Sequence, residues 1–383
     1  MELIPIGRLY VSDHELRQSG SIRSGTYVEN GDLLIAKITP SFENGKQAIV
    51  AWDYESGYAT TEVIPLQARE GVSDVRFLAF LLQHPEIRSD LAGKMEGTTG
   101  RQRLSKTVLG ARLITLPPLD EQRKIAAVLS LVQRAIEQQE RLIALTTELK
   151  QSLMHKLFTE GLRGDPQKQT EIGLVPESWN VVPLSSIADF LSGGTPSKKR
   201  PEFWQGDIPW VAPKDMKRPR LADVDDHISE EALVAGSKLA PTESVLVVVR
   251  GMILARDVPV CLIEQPMAFN QDVKAIVVGE KVVASYLLYA LRHFKPILAQ
   301  KVGRSAHGTY TLMSQEIANM LVPLPPRDDQ KEIADSLHLL ERKVATHEAK
   351  KASLSDLFRT VLHQLMTAQI RVDDLDLSLL EGS

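Results

Sequence analysis

The chain has 383 residues, of which 43% are hydrophobic and 25% are charged, and its formal net charge is −4. These proportions are those of ordinary globular domains and exclude a wholly basic or low-complexity protein. A lone cysteine, Cys261, excludes a disulfide framework, and the longest apolar run, 245–249, is much too short to cross a bilayer. No signal peptide is predicted at the N-terminus, and we expect a cytoplasmic protein without a membrane partner.

The first third of the chain predicts a small mixed domain. Apolar and β-branched runs bounded by Gly, Pro and Asp predict strands at 32–38, 45–51 and 61–66, followed by a helix at 75–84.

A long helix follows, and its entrance occurs twice. The stretch 116–126 returns as 324–334, 208 residues later, and each copy opens a charged helical pattern of about 40 residues. Each entrance has a Pro-Pro pair and then acidic residues, Asp120 and Glu121 or Asp328 and Asp329, which suit a first helical turn. The chain is therefore a duplicated unit, one globular domain followed by one long helix.

The second domain predicts strands at 245–249, 260–263 and 273–278, and short helices at 285–293 and 314–320. We expect a curved, mostly antiparallel sheet, with Trp204 and Trp210 in the core.

Both helical patterns carry an apolar 4-3-4-3 spacing, which is typical of a coiled-coil seam. This favours two helices that pair with each other over two amphipathic helices that each pack on their own domain. The predicted seam comprises Ile125, Leu129, Val132, Ile136, Ile143, Leu153 and Leu157 in the first helix, and Ile333, Leu337, Leu340, Val344, Leu354, Phe358, Val361 and Leu365 in the second.

The pairing is predicted to be antiparallel, because a parallel pair would stretch the linker 161–175 close to its extended limit. Facing residue numbers then sum to about 490, which places Gln139 near Lys351 and Ile143 near His347, and we hypothesise that these polar residues fix the register. The predicted fold is α+β: two globular domains separated by an antiparallel pair of long coiled-coil helices, with pseudo-two-fold symmetry.

The predicted boundaries are 1–117 for the first domain, 118–160 for its helix and 161–175 for the linker, then 176–323, 324–368 and an acidic tail, 369–383. When the two copies are aligned, Met1 falls near Pro213, so the first domain lacks a counterpart of 172–212. Either the start codon is misassigned or the first domain is naturally abridged.

Together these motifs resemble the specificity (S) subunit of Type I restriction–modification enzymes. The resemblance covers nearly the whole chain and rests on the twin Pro-Pro-x-Asp-x-Gln entrances and on the segments 176–179, 206–211 with Lys214 and Asp215, 31–40 and 369–376. It implies two target-recognition domains that read a bipartite, asymmetric DNA sequence, and helices that set the half-site spacing. It also implies a bacterial or archaeal cytoplasm, a part in phage defence, and a non-catalytic subunit that docks two adenine methyltransferase subunits and the restriction/translocase subunits. S-adenosylmethionine, ATP and Mg would belong to those partners alone.

Basic clusters are the candidates for DNA contact, since Lys and Arg attract phosphates and Arg and Gln read bases. Residues 88–112 carry six Lys/Arg against two acids, and 196–220 carry seven against three. Any one of these is more often a surface charge or a phosphate contact than a base contact. The candidates are Lys37, Lys46, Lys94, Arg101, Gln102 and Arg103 in the first domain, and Lys198, Lys199, Arg200, Lys214, Lys217, Arg218, Arg220, Arg250, Arg256, Arg304 and His307 in the second.

No catalytic residue or metal ligand is predicted. Neither Pro-Pro pair belongs to an Asn/Asp-Pro-Pro-aromatic motif, no glycine-rich loop suits a cofactor, and the histidines lack metal-ligand spacing. Asp272-Val273-Lys274 is superficially similar to the end of a nuclease motif but more often forms a solvent-facing charge pair in a strand. A DNA-recognition subunit is favoured over a protein-binding coiled-coil scaffold and over a nuclease with an unrecognised site.

Overall fold

The computed structural model describes residues 1–18, 22, 24–98, 100–304 and 308–374. It divides into unit 1, Met1–Ala144 with Ala345–Ser383, and unit 2, Leu145–Val344. No helix of the described ranges is long and apolar enough to cross a membrane.

In its described residues, unit 1 is built on a four-stranded sheet and two small two-stranded sheets. The strands are β1 (Tyr10–Val11), β2 (Thr26–Glu29), β3 (Leu33–Ala36), β4 (Gln47–Val50), β5 (Ser56–Ala59), β6 (Val63–Leu66), β7 (Glu96–Thr98) and β8 (Arg101–Arg103). The helices are α1 (Val75–Gln83), α2 (Pro85–Ala92), α3 (Lys106–Gly110) and the first part of α4 (Leu119–Glu160). The main sheet has the order β1-β4-β3-β6, antiparallel except for the parallel β1–β4 pair, while β2 pairs with β5 and β7 with β8.

The core of unit 1 lies between the main sheet, α1 and the two long helices. Leu33 and Ile35 of β3 and Phe80 of α1 are fully buried, in one cluster with Leu129 of α4. Leu362 and Leu365, near the end of α8 (Arg327–Met366), join this cluster, and Phe358 packs against Phe80. The apolar face of the long helices is therefore part of the domain core.

Unit 2 repeats this plan with more strands. They are β9 (Gln167–Thr170), β10 (Gly173–Pro176), β11 (Asn180–Pro183), β12 (Ala188–Ser192), β13 (Ile208–Val211), β14 (Arg220–Leu221), β15 (His227–Ile228), β16 (Leu239–Ala240), β17 (Val245–Val248), β18 (Val260–Ile263), β19 (Met267–Phe269), β20 (Val273–Val278), β21 (Gly303–Arg304), β22 (Tyr310–Thr311) and β23 (Leu321–Leu324). The helices, besides parts of α4 and α8, are α5 (Glu230–Val234), α6 (Ala284–Gln300) and α7 (Ser314–Ala318).

The central sheet of unit 2 has the order β12-β20-β17-β18-β14, and a second sheet has the order β15-β13-β19-β16. The predicted strands 260–263 and 273–278 coincide with β18 and β20, and both sheets are mostly antiparallel, with parallel pairs at β14–β18 and β13–β19. The helix predicted at 285–293 is longer, because α6 continues past Pro296 to Gln300. The second long helix begins at Arg327, directly after the Pro-Pro pair, and Asp328 and Asp329 lie in its first turn as predicted.

The two long helices run antiparallel within each unit. In unit 1 Gln139 contacts His347, and Ile125 lies in one core cluster with Leu362. In unit 2 Lys150 pairs with Glu341, and Leu157 lies in one core cluster with Ile333. In each unit, partner numbers therefore fall on one helix as they rise on the other. The predicted α+β class and antiparallel course are confirmed. Every predicted seam residue is buried or half-buried.

The polar pair in the middle of the seam differs from the prediction. His347 Nδ1 donates to Gln139 Oε1 at 2.9 Å, whereas Lys351 lies 2.8 Å from Glu140. Gln139 is 5% exposed, so a lysine facing it would lose its hydration, and the longer Lys351 side chain keeps its charge at the half-exposed Glu140.

The glutamine of each Pro-Pro-x-Asp-x-Gln entrance has a structural role. Gln330 is 1% exposed; its Oε1 accepts from the Val283 N–H at 2.8 Å, and its Nε2 donates to the carbonyls of Lys281 (3.1 Å) and Pro325 (2.9 Å). Gln122, fully buried in unit 1, bonds the Asp74 N–H and the carbonyls of Val72 and Pro117 in the same way. Each glutamine thus joins the start of a long helix to the start of the helix beside it, α1 or α6.

Candidate nucleic-acid interface

In unit 1 the end of β3 is joined to the β7–β8 hairpin. The Thr39 N–H donates to the Gln102 carbonyl at 3.0 Å, and the Leu104 N–H donates to the Lys37 carbonyl at 2.7 Å. A bridge between Ile38 and Arg103 completes the junction. We call Lys37, Ile38, Thr39, Gln102 and Arg103 the first hairpin site.

Donor side chains collect at this site. Lys37 and Gln102 are half-exposed, and Arg101 at the start of β8 is exposed. The Arg103 guanidinium bonds both carboxylate oxygens of Glu62 and holds the pKa of that carboxyl below its usual range. Lys46 also lies here, since its carbonyl accepts from Ala36, the residue before Lys37.

Unit 2 has the same junction between the end of β17 and the β21–β22 hairpin. The Gly251 N–H donates to the Tyr310 carbonyl at 3.0 Å, the Leu312 N–H donates to the Val249 carbonyl at 2.8 Å, and Arg250 bridges Thr311. These three contacts are the counterparts of the three in unit 1. Val249, Arg250, Gly251, Tyr310 and Thr311 form the second hairpin site.

The side chains of the second site differ from those of the first. Arg250 is exposed and has no ion-pair partner in the described part of the chain. Arg304 is also exposed and lies over the Tyr310 ring, 5.8 Å from its centroid. Arg256 ends the turn Met252–Ala255, in which Met252 is 66% exposed. This surface therefore combines guanidinium donors with an exposed apolar side chain.

The loop that carries Lys198, Lys199 and Arg200 reaches the same end of unit 2. Thr195 hydrogen-bonds the side chain of Gln271. The carbonyl of the neighbouring residue, Asp272, accepts from the N–H groups of Val249 and Arg250, which belong to the second hairpin site. Gly193 makes the approach possible, because a Cβ there would lie 2.2 Å from the Asn270 carbonyl oxygen.

Within this loop, Lys198 and Lys199 are exposed, whereas Arg200 is held by Glu202 at 2.7 Å and stacks on Phe203. Trp210 packs beneath this loop in the core and is 6% exposed. Its Nε1–H donates to the Gly194 carbonyl, and the half-buried Trp204 packs edge-on against its ring.

Several other predicted residues are not brought to either hairpin site by any contact in the described ranges. Lys94 pairs with Asp90 and Lys214 with Asp226. Arg220 lies on β14, at the edge of the sheet away from β12, beside Glu264. Lys217 and Arg218 are exposed in the turn before β14. His307 lies outside the described residues.

Sequence reasoning missed the residues that shape the sites without carrying charge. Thr39 both accepts from the Gln102 N–H and donates to the Gln102 carbonyl, Tyr310 supports Arg304, and Thr195 with Gln271 ties two loops together. The repeat offset was the available signal, because the position of Gln102 in the first copy corresponds to that of Tyr310 in the second.

Both sites offer hydrogen-bond donors and positive charge, which suit a polyanion. Within the described ranges, no group of three or more His, Cys, Asp or Glu residues could hold a metal ion. Cys261 is fully buried in β18, and burial raises the pKa of its thiol far above the usual range, so it is a core residue.

The sequence matches the family described as the Type I restriction modification DNA specificity domain over residues 18–147 and 176–356. It is 30% identical over 244 residues to the EcoR124I/EcoR124II specificity subunit of Escherichia coli, which covers 63% of this chain and 58%, less than two thirds, of that subunit. It is 25% identical to the putative MjaX specificity subunit of Methanocaldococcus jannaschii, covering 89% of this chain and 79% of that one. A crystal structure of the Type-I restriction-modification system S subunit from M. genitalium has the same fold, with a TM-score of 0.60 at 16% identity, covering 95% of this chain and 90% of that chain.

Proposed function

The chain belongs to the Type I restriction–modification DNA specificity family, and on that premise we propose that it is the DNA-recognition subunit of such a complex. Each unit reads one half of a bipartite, asymmetric DNA target. The chain itself supplies recognition, and partner subunits supply chemistry.

The observation that carries this proposal is the pair of hairpin sites. Equivalent backbone contacts build both, yet one presents Lys37, Gln102 and Arg103 and the other presents Arg250 and Arg304. Bases are distinguished by side-chain donors and acceptors in the major groove, while phosphate contacts give register and affinity. Two equivalent frames with different side chains therefore suit two different half-sites.

The partners that fit this role are double-stranded DNA, two adenine methyltransferase subunits and restriction/translocase subunits. S-adenosylmethionine, ATP and Mg would be bound by those subunits. The chain then directs adenine methylation or restriction without a catalytic group of its own.

The experiment that tests the proposal maps methylated adenines in cells that express this chain with its methyltransferase. Arg250→Ala and Arg304→Ala should relax or change one half-site, and Gln102→Ala should change the other. The loss of one bidentate base contact should weaken discrimination at that position by about 1–3 kcal/mol. Lys281→Ala, an exposed lysine outside both hairpin sites, is the control and should leave the motif unchanged.

Two results would contradict the proposal. If all three variants methylate the original bipartite sequence with unchanged fidelity, the hairpin sites do not read bases. If the purified chain alone cleaves DNA in the presence of Mg, it has a catalytic site, and the non-catalytic role is wrong.

A further inference from the structure

Exposed apolar side chains flank the second hairpin site. Met252 and Ile253 directly follow Gly251 and are 66% and 41% exposed. Met313, which is 67% exposed, directly follows Leu312, the residue that closes the other end of the same junction. Single exposed apolar residues are common on protein surfaces, but three around one site form a patch that needs a specific cause.

The first hairpin site has small or polar residues at the equivalent positions. The three backbone contacts that build both junctions align Pro40 with Met252, Ser41 with Ile253 and Ser105 with Met313. Because the two junctions share their backbone contacts, the frame itself does not require apolar side chains there. The methionines therefore belong to what distinguishes the second site from the first.

Met313 occupies a position where a polar side chain would stabilise the fold. It is the N-cap residue of α7, and its side chain caps no N–H group of the described chain. Its counterpart Ser105 is the N-cap residue of α3, and the Ser105 Oγ accepts from the Val108 N–H at 3.1 Å. Serine is among the preferred N-cap residues, and methionine is not. A local rule that is broken at a candidate binding site indicates a function for the exposed side chain.

The charge around the patch favours a nucleic acid over an apolar protein surface as its occupant. Arg250 and Arg304 are exposed at the same site, and Arg256 ends the turn that carries Met252. An apolar protein surface would bury these guanidinium groups without partners, whereas phosphates and guanine edges accept hydrogen bonds from them. The apolar group that bases display in the major groove is the 5-methyl group of thymine.

We propose that Met252 and Met313 contact thymine 5-methyl groups in the half-site that unit 2 reads. This inference rests on the proposed function and adds the base chemistry that one of the two sites selects. Methionine suits such a contact, because its unbranched and polarisable side chain adapts to the position of a methyl group. The contact distinguishes thymine from cytosine, which lacks the methyl group.

The test uses the full chain assembled with its methyltransferase subunits and the target duplex found by methylome mapping. The half-site of unit 2 is the one that changes with Arg304→Ala. Each thymine is replaced singly by deoxyuridine, which lacks only the methyl group, and the dissociation constant is measured at one fixed salt concentration. At least one replacement in this half-site should weaken binding about fourfold, which is the effect of one buried methyl group.

Met252→Ser and Met313→Ser remove the two apolar contacts in turn. Each variant should bind the thymine duplex more weakly and lose the uracil penalty at its own position, while penalties in the other half-site persist. Met313→Ser should also restore the helix cap and raise the midpoint of thermal unfolding by about 1–3 °C, so weaker binding cannot be attributed to unfolding. Leu174→Ser is the matched control, because Leu174 is 45% exposed on β10 and pairs with Gln169 there; it should keep the full uracil penalty.

Two results would overturn the inference and leave the proposed function intact. The first is selective binding of the target duplex without a uracil penalty in the half-site of unit 2. The second is a uracil penalty that both methionine variants retain, even if their affinity for every duplex falls. If the unmodified assembly binds no duplex selectively, the proposed function is wrong, and this inference is wrong with it.

Discussion

The replacement of Gln330 by Leu should destabilise unit 2 strongly, although the side chains have similar volume. The leucine cannot replace the three hydrogen bonds of the amide, so the Val283 N–H and the carbonyls of Pro325 and Lys281 lose their partner. Lys281 is exposed and its carbonyl can turn to water, whereas Pro325 is buried and the bond to Val283 is part-buried. Two unsatisfied groups, partly offset by the greater hydrophobicity of leucine, predict a loss of about 2–4 kcal/mol.

The measurement is urea unfolding of the full chain, combined with amide hydrogen exchange at Val283. Gln122→Leu is the matched variant in unit 1 and should release the Asp74 amide instead. Gln138→Leu serves as the control, because Gln138 is exposed on α4. If Gln330→Leu shifts the unfolding free energy by less than about 0.5 kcal/mol, as surface substitutions do, the glutamine does not hold the helix entrance and the reasoning is wrong.

Three further predictions concern His293, the Gln139–His347 pair and the length of the two long helices. Burial, with a smaller contribution from His155, lowers the pKa of His293 to about 4. Because the histidine of the unfolded chain binds its proton near pH 6.5, the free energy of unfolding should fall as the pH drops from about 6.5 to 4. The His293→Phe variant should show a flatter slope in unfolding titrations over this pH range. The replacement of both Gln139 and His347 by Leu should raise the unfolding free energy but permit more than one helix register, which cysteine cross-linking would detect; a single retained register would contradict a role in specificity. A heptad inserted at matched points in both helices lengthens each by about 10 Å and preserves the seam. If the helices set the half-site spacing, methylome mapping should show a spacer about three base pairs longer. An unchanged spacer would show that the helices do not set this distance.

Much of the fold could be predicted because the sequence repeats itself. Equal offsets located both long helices, the 4-3-4-3 spacing predicted that they pair, and the length of the linker 161–175 predicted that the pairing is antiparallel. Strands in continuous apolar runs, such as β18, were predicted well because their burial on both faces leaves a simple pattern. Short strands such as β13 and β22 were missed, because β22 has only two residues and Pro209 lies inside the four residues of β13.

The candidate site could be predicted only in outline. Charge pointed to the loops, but side-chain charge does not show which residues meet in space. The sequence does not distinguish Arg220 from Arg250. In the structure, Arg220 lies on an edge strand beside Glu264, whereas Arg250 lies at the end of a central strand. Gln139 contacts His347 instead of the predicted Lys351, because the long Lys351 side chain reaches Glu140. The sum of facing residue numbers does not include the length of a side chain.

The duplicated chain separates what builds the domain from what can vary. The glutamines of the helix entrances use buried side-chain amides, so substitution there breaks the domain. The hairpin sites are joined by backbone bonds, from Thr39 to Gln102 and from Gly251 to Tyr310, and these form with almost any side chain present. Side chains at the hairpins can therefore change at little cost to stability, so under the proposed function a new half-site could be acquired without a new fold. For the same reason, alanine variants at the hairpin sites should alter target choice while leaving the unfolding free energy nearly unchanged.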